Sequence, residues 1–158
     1  MPIPPLNEYK LLPVGAHECS LDEIESRFVY TSQRKQIWTR FVEYFNLIKD
    51  FTEIQAVYVD GSFVADIKTP SDLDIAVEFV TVYHWGRLKR ANPELFDEKS
   101  IKEKWALDFL PYAPEMLPYQ GTDARVFFQD VKVQDIEKLG APKGTKKGIL
   151  IVRWRGAK

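Results

Sequence analysis

Two apolar runs joined by a polar interruption constrain this chain more than any other feature. Ile54 to Val59 leads into Asp60-Gly61-Ser62-Phe63, and Pro70-Ser71-Asp72-Leu73-Asp74 leads into Ile75-Ala76-Val77. Runs of this length, rich in β-branched residues, read as strands. A Gly-Ser turn at the end of the first strand offers bare backbone N–H groups and a hydroxyl to phosphate oxygens. Asp72 and Asp74 open the second strand one residue apart, so side-chain alternation sets both carboxylates on one side of it. A phosphate cradle with paired carboxylates is what a magnesium-dependent attack on a nucleoside triphosphate requires.

The 158 residues suit a single domain, 1–158, with a proline-rich extended segment at 1–16 running over the surface. With 45% hydrophobic and 28% charged residues the chain is expected to build an ordinary core. A formal net charge of -1 argues against wholesale electrostatic binding to nucleic acid. The single cysteine, Cys19, excludes an internal disulfide and fits a reducing compartment. No apolar segment has the length to span a membrane, and the first residues lack the basic-then-apolar pattern of a secretory signal, so the expected location is cytoplasmic.

Elements follow from local signals. Ser20-Leu21-Asp22-Glu23 is a capping box that starts a short helix running toward Tyr30. Thr31 or Ser32 caps a longer helix whose apolar stripe is Ile37, Phe41, Phe45 and Ile48, widened by Trp38 and Val42. Ser62 to Ile67 is read as one helical turn, broken at Thr69-Pro70. Leu73 to Val80 is a strand buried on both faces, followed by a helix over 81–91 and another from Glu94 to about Glu103, with Asn92-Pro93 as cap and first-turn proline. Trp105 to Leu110 is a third strand, with Trp105, Leu107 and Phe109 on one face and Ala106, Asp108 and Leu110 on the other. Residues 111–122 are read as a proline-containing loop, and 125–133 are ambiguous. Gly148 to Trp154 is a late strand after a Lys-rich turn. Helices alternating with a few strands give an α+β (α/β-like) class: a small mixed β-sheet with helices packed on it.

Asp-x-Asp alone leaves a metal site incomplete. Asp108 is the best third carboxylate, because a charge within an apolar strand is costly unless something neutralises it. The alternative is an edge-strand aspartate in water, and Asp123 and Asp130 are rivals for the third position. Ser71 is either a phosphate ligand or a turn cap, and Lys68 either reaches a triphosphate or is solvated. Lys143, Lys146, Lys147, Arg153 and Arg155 make either a patch for a polyanion or a solvated turn and tail. Lys147 stands out because it abuts a glycine at a strand entrance. His17 and His84 lack companions for a zinc site. The tryptophans are read as core, and Tyr112 and Tyr119 as residues able to flank a base.

Gly61-Ser62 followed by Asp72-Leu73-Asp74 resembles the signature of nucleotidyltransferases of the DNA polymerase beta type, over about residues 54–80. Leu12-Pro13-Val14-Gly15-Ala16-His17, Gly61-Ser62-Phe63-Val64 and Lys147-Gly148-Ile149-Leu150 look like a small bacterial and phage branch of that superfamily. The resemblance implies the nucleotidyltransferase fold, Gly61 and Ser62 on the β- and γ-phosphates, and magnesium (manganese as a substitute) on Asp72 and Asp74. Asp108 maps to the third acid by position. ATP is the favoured triphosphate. Small stand-alone members resemble the antitoxins of toxin–antitoxin pairs, which implies a partner protein as acceptor, with RNA behind it. The competing expectation is an inactive domain that neutralises a partner by contact.

Overall fold

The computed structural model describes residues 3–66, 70, 72–114, 137 and 139–153, with Ser62 described by its backbone alone. Among these the elements run β1 (Ala16–Glu18), α1 (Leu21–Phe28), α2 (Ser32–Ile48), β2 (Ile54–Asp60), a 3-10 turn (Ser62–Val64), β3 (Leu73–Phe79), α3 (Val82–Ala91), α4 (Pro93–Phe96), α5 (Glu98–Trp105), β4 (Leu107–Tyr112) and β5 (Ile149–Arg153). The strands form one mixed sheet in the order β1-β5-β2-β3-β4. β2 lies antiparallel to both β3 and β5, while β4 runs parallel to β3 and β1 parallel to β5. The parallel β3–β4 pair is connected through α3, α4 and α5, as parallel strands require a long crossover. The class is α+β, as the sequence implies.

Side-chain alternation divides the sheet into two unlike faces. Val57, Val59, Leu73, Ile75, Val77, Phe79, Leu107, Phe109, Leu150 and Val152 join one core with Ile24, Phe28, Ile37, Phe41, Ile48, Leu88, Phe96, Ile101 and Trp105 from the helices. The opposite face carries a smaller cluster of Ala56, Tyr58, Ala76, Tyr112, Ile149 and Ile151. β3 is buried on both sides, as its near-continuous apolar sequence predicts.

Caps fix the helix ends. Ser20 and Glu23 form the predicted capping box on α1, which ends at Phe28. Thr31 caps α2, and Thr81 caps α3 by accepting from the His84 N–H at 3.2 Å. The helix expected from Glu94 is two helices. Asp97 is extended (φ -89, ψ 127) and its carboxylate accepts from the Ser100 N–H at 3.1 Å, so it restarts the helix as the cap of α5. The break lets Phe96 turn into the core between Phe51 and Phe79, at centroid distances of 5.2 and 5.9 Å.

Trp105 is not in a strand; it ends α5. Its ring lies 5.1 Å from Tyr44 and its indole N–H donates to Glu43 at 3.1 Å, contacts that hold it on the helix. Ala106, left-handed at φ 57, converts helix to strand in one residue, so β4 starts at Leu107 and takes in Pro111 and Tyr112, which the sequence assigns to a loop. The one-in, one-out order of Leu107, Asp108, Phe109 and Leu110 is as expected. The ambiguous 125–133 segment and Trp154 lie outside the described residues.

The N-terminal segment is more than a surface strap. Leu11 and Leu12 are buried, the Gly148 N–H donates to Leu12 O at 2.9 Å and the Ile149 N–H to Gly15 O at 2.9 Å. His17 Nε2 bonds Pro13 O at 2.6 Å, which ties the histidine to the N-terminal segment. A Cβ on Gly148 would overlap the Pro13 carbonyl oxygen and approach His17 Nε2 to 2.8 Å. Gly148→Ala is therefore expected to destabilise the fold by about 1–3 kcal/mol, read as a lower urea midpoint. A midpoint equal to wild type would show that the N-terminal segment does not pack there.

Candidate functional site

The strand pattern that buries β3 also lines up its acids. Asp74 is the register partner of Asp60 on β2 and of Asp108 on β4, so three aspartates cross the sheet in one row. Their parity is that of Tyr58, Ala76 and Tyr112, so the row lies on the face away from the main core. Asp72, one residue before β3, shares that parity. Asp72, Asp74 and Asp108 each offer a carboxylate oxygen, and these oxygens all lie within 4.8 Å of one another. All three residues are half-buried. Asp123 and Asp130, the rivals for the third position, lie outside the described residues.

Gly61 presses bare backbone against this cluster. Its φ is +86°, and a Cβ there would lie 2.5 Å from Asp74 Oδ2. The 3-10 turn at Ser62–Val64 is shorter than the turn expected to reach Ile67; it closes with a hydrogen bond from the Val64 N–H to Gly61 O at 3.3 Å. The Ser62 side chain, Lys68 and Ser71 lie outside the described set.

Two lysines offset the acidic row. Lys102, from α5, donates to Asp108 Oδ1 at 2.8 Å and to Asp72 Oδ2 at 3.2 Å. Lys147, before β5, is 7% exposed and forms an ion pair with Asp60, itself 5% exposed. Lys147 is thus built into the sheet beside the acidic row, not the solvated turn residue that is one reading of the Lys-rich stretch. Arg153 pairs with Glu18 at 3.3 Å. Sequence reasoning missed Asp60 and Lys102. Asp60 carried a signal, since it ends an apolar strand two residues after Tyr58 and abuts Gly61. Lys102 and the pairing of Lys147 carried none, because both depend on elements meeting in space.

The carboxyls differ in proton affinity. Burial pushes Asp72 above its ordinary value, and the Asp108 carboxyl beside it adds to this. Burial also raises Asp108, but hydrogen bonds from Asp72 and Lys102 outweigh it and hold Asp108 low. Burial pulls Lys102 down, yet its bonds to Asp108 and Asp72 keep its ammonium above the ordinary lysine range. Of the pair, Asp72 holds its proton the more tightly and Asp108 the less. Hard oxygen donors suit magnesium. The Lys102 ammonium already seated between two of them shows that the set accepts a cation.

Tyr112 is buried and stands edge-on to Tyr58 at 6.2 Å, while Tyr58 donates to Glu78 at 2.7 Å. Tyr119 lies outside the described residues. His84 Nδ1 bonds Thr81 Oγ1 at 2.6 Å, within a helix cap and away from the acids. Among the described residues no helix is long and apolar enough to cross a membrane.

A family model described as a family of unknown function, DUF6932, matches residues 4–153. The chain belongs to the DUF6932 family. No curated protein and no solved structure matches it.

Two outcomes test the geometry. Gly61→Ala is expected to displace Asp74 and weaken manganese binding at least tenfold in a titration followed by electron paramagnetic resonance; equal affinity would separate Gly61 from the cluster. Protons and cations compete for the Asp72 oxygen, whose pKa is raised. Manganese affinity is therefore expected to be full near pH 8 and to fall as the pH drops toward the Asp72 value. A profile that stays flat as the pH is lowered through the carboxylate range would remove Asp72 from the ligand set.

Proposed function

We propose that this chain is a magnesium-dependent nucleotidyltransferase that moves a nucleoside monophosphate from a triphosphate, ATP favoured, to a hydroxyl of a partner protein or an RNA. The observation that carries the reading is the convergence of Asp72, Asp74 and Asp108 beside the bare backbone of Gly61. It agrees with the sequence resemblance to the DNA polymerase beta type, whose nucleotidyltransferase fold is part of the proposal. A cytoplasmic setting suits both the substrate and the single unpaired cysteine.

Asp72, Asp74 and Asp108 would hold magnesium, which when bound neutralises charge on the triphosphate and lowers the pKa of the acceptor hydroxyl. The chain's own groups do the rest by position and charge. Gly61 lets phosphate oxygens approach the backbone, with Ser62 as the further donor that the motif assigns. The acceptor oxygen bonds to the α-phosphorus as the α–β bridging bond breaks, and pyrophosphate leaves with the bonding electrons. The acceptor's proton passes to Asp108, which is ionised and more exposed than Asp72, at 44% against 27% of its side chain. Lys102, adjacent to both, is placed to follow the phosphates once a divalent cation replaces it. Lys68, Ser71 and Lys147 complete the nucleotide-binding set proposed from the sequence. Lys147 acts there through Asp60 rather than by direct contact.

A second reading is favoured by Lys102 itself. An ammonium held by Asp72 and Asp108 satisfies the cluster without a metal, as expected of an inactive domain that neutralises a partner by contact. Incubation with α-labelled ATP and magnesium, with and without a cell extract as acceptor source, separates the two. Transferred label is expected with wild type and is expected to fall at least 100-fold with Asp72→Ala plus Asp74→Ala. No transfer by wild type would favour the binding module, and equal transfer by the double variant would overturn the site.

A further inference from the structure

The turn that brings Gly61 against Asp74 is gripped from behind by Arg34, a side chain that plays no part in the carboxylate cluster. Arg34 is fully buried, at 0% exposure, in the first turn of α2, where its own N–H is capped by Thr31 Oγ1 at 3.1 Å. Its Nη1 donates to Phe63 O and, at 3.0 Å, to Phe28 O; its Nη2 donates to Ala65 O at 2.8 Å. The guanidinium carbon lies 4.6 Å from the Tyr30 ring centroid and 5.0 Å from that of Phe63. The Tyr30 hydroxyl donates to Asp66 Oδ1 at 3.0 Å, and the Asp66 N–H donates to Lys10 O at 3.1 Å.

These contacts converge on residues 63–66, directly after Gly61-Ser62. A buried guanidinium is costly unless its donors are bonded, and here the Phe63 and Ala65 carbonyls of the turn and the Phe28 carbonyl accept from its two Nη groups. Carbonyls two residues apart call for a planar fork. A lysine, as a point charge, serves one of them well and not the set. Neighbouring strands hold Asp74 and Asp108 in place through the sheet, whereas Phe63 and Ala65 belong to no strand.

We propose that Arg34 is the positioning residue of the nucleotide site: its fork fixes the 61–66 backbone in the shape that receives the triphosphate. The proposal rests on the nucleotidyltransferase reading above. Two affinities separate in consequence. Triphosphate binding depends on Arg34, while cation binding by the carboxylates of β3 and β4 does not.

The test compares wild type with Arg34→Lys, which keeps the charge, and Arg34→Met, which keeps only bulk. Hydrogen exchange is read across the whole chain, manganese affinity without nucleotide by electron paramagnetic resonance, and magnesium–ATP affinity with a fluorescent ATP analogue. In Arg34→Lys the 61–66 amides are expected to exchange at least tenfold faster while β2 and β3 keep their protection. The ATP analogue is expected to bind at least tenfold more weakly, and manganese within twofold of wild type. Should Arg34→Met fail to fold, Arg34→Lys carries the comparison. Unchanged exchange at 61–66 in a folded variant would overturn the clamp, whatever the ligand. Faster exchange throughout, with both affinities falling together, would reduce Arg34 to a structural role and overturn the proposal. A loosened turn with undiminished analogue binding would overturn the positioning role. Wild type that binds no ATP analogue would sink the nucleotidyltransferase reading and this role with it, while exchange at 61–66 still reports whether the clamp itself exists.

Discussion

One row of like charges governs the arrangement of this domain. Asp60, Asp74 and Asp108 face one another across neighbouring strands, a placement that is destabilising unless cations lie close. No cation can reach them through the main core, which lies on the other face. Lys147 therefore enters from the start of β5 and Lys102 from the last turn of α5, one at each side of the row. Both are as much a part of the sheet's tolerance for its acids as hydrogen bonds are of its register.

The two lysines do different things because they are solvated differently. Lys147 and Asp60 are buried together, so neither can be released without leaving the other's charge in a poorly solvated place. That pair belongs to the fold. Lys102 is 46% exposed in its side chain and can move to water at small cost, which leaves Asp72 and Asp108 available to another cation. Burial and exposure thus divide one acidic row into a fixed end at Asp60 and an exchangeable end at Asp108, with Asp74 between them against Gly61.

The turn between β2 and β3 shows the same economy. Its entry requires a residue without a Cβ, since Asp74 stands 2.5 Å from where that atom would be. Its exit is held by the guanidinium of Arg34, from α2. The site is therefore assembled from β2, β3 and β4, a turn, and long-range contacts from α2 and α5. Even the crossover α3–α5 matters here, because it is what sets β4 parallel to β3 and brings Asp108 level with Asp74.

Local chemistry was legible in the sequence. The capping box at Ser20, the cap at Thr31, the stripe of α2, the two-sided burial of β3 and the shared parity of Asp72 and Asp74 all follow from interactions within a few residues. Asp108 was found because a carboxylate in an apolar strand stands out. Harder was the segment from Asn92 to Leu110, where Asp97 restarts a helix and Ala106 turns one into a strand. Those boundaries were decided by where Phe96 and Trp105 could be buried, not by propensity. Asp60, Lys102 and Arg34 entered the site only through tertiary structure. The partner of Asp60 lies 87 residues away in the chain and the turn carbonyls that Arg34 grips lie 29 and 31 away, and no local pattern records such distances. The sequence by itself determined which residues alternate and which end an element; the folded sheet decided which charges meet, because electrostatic pairing depends on separation in space and on exclusion of water.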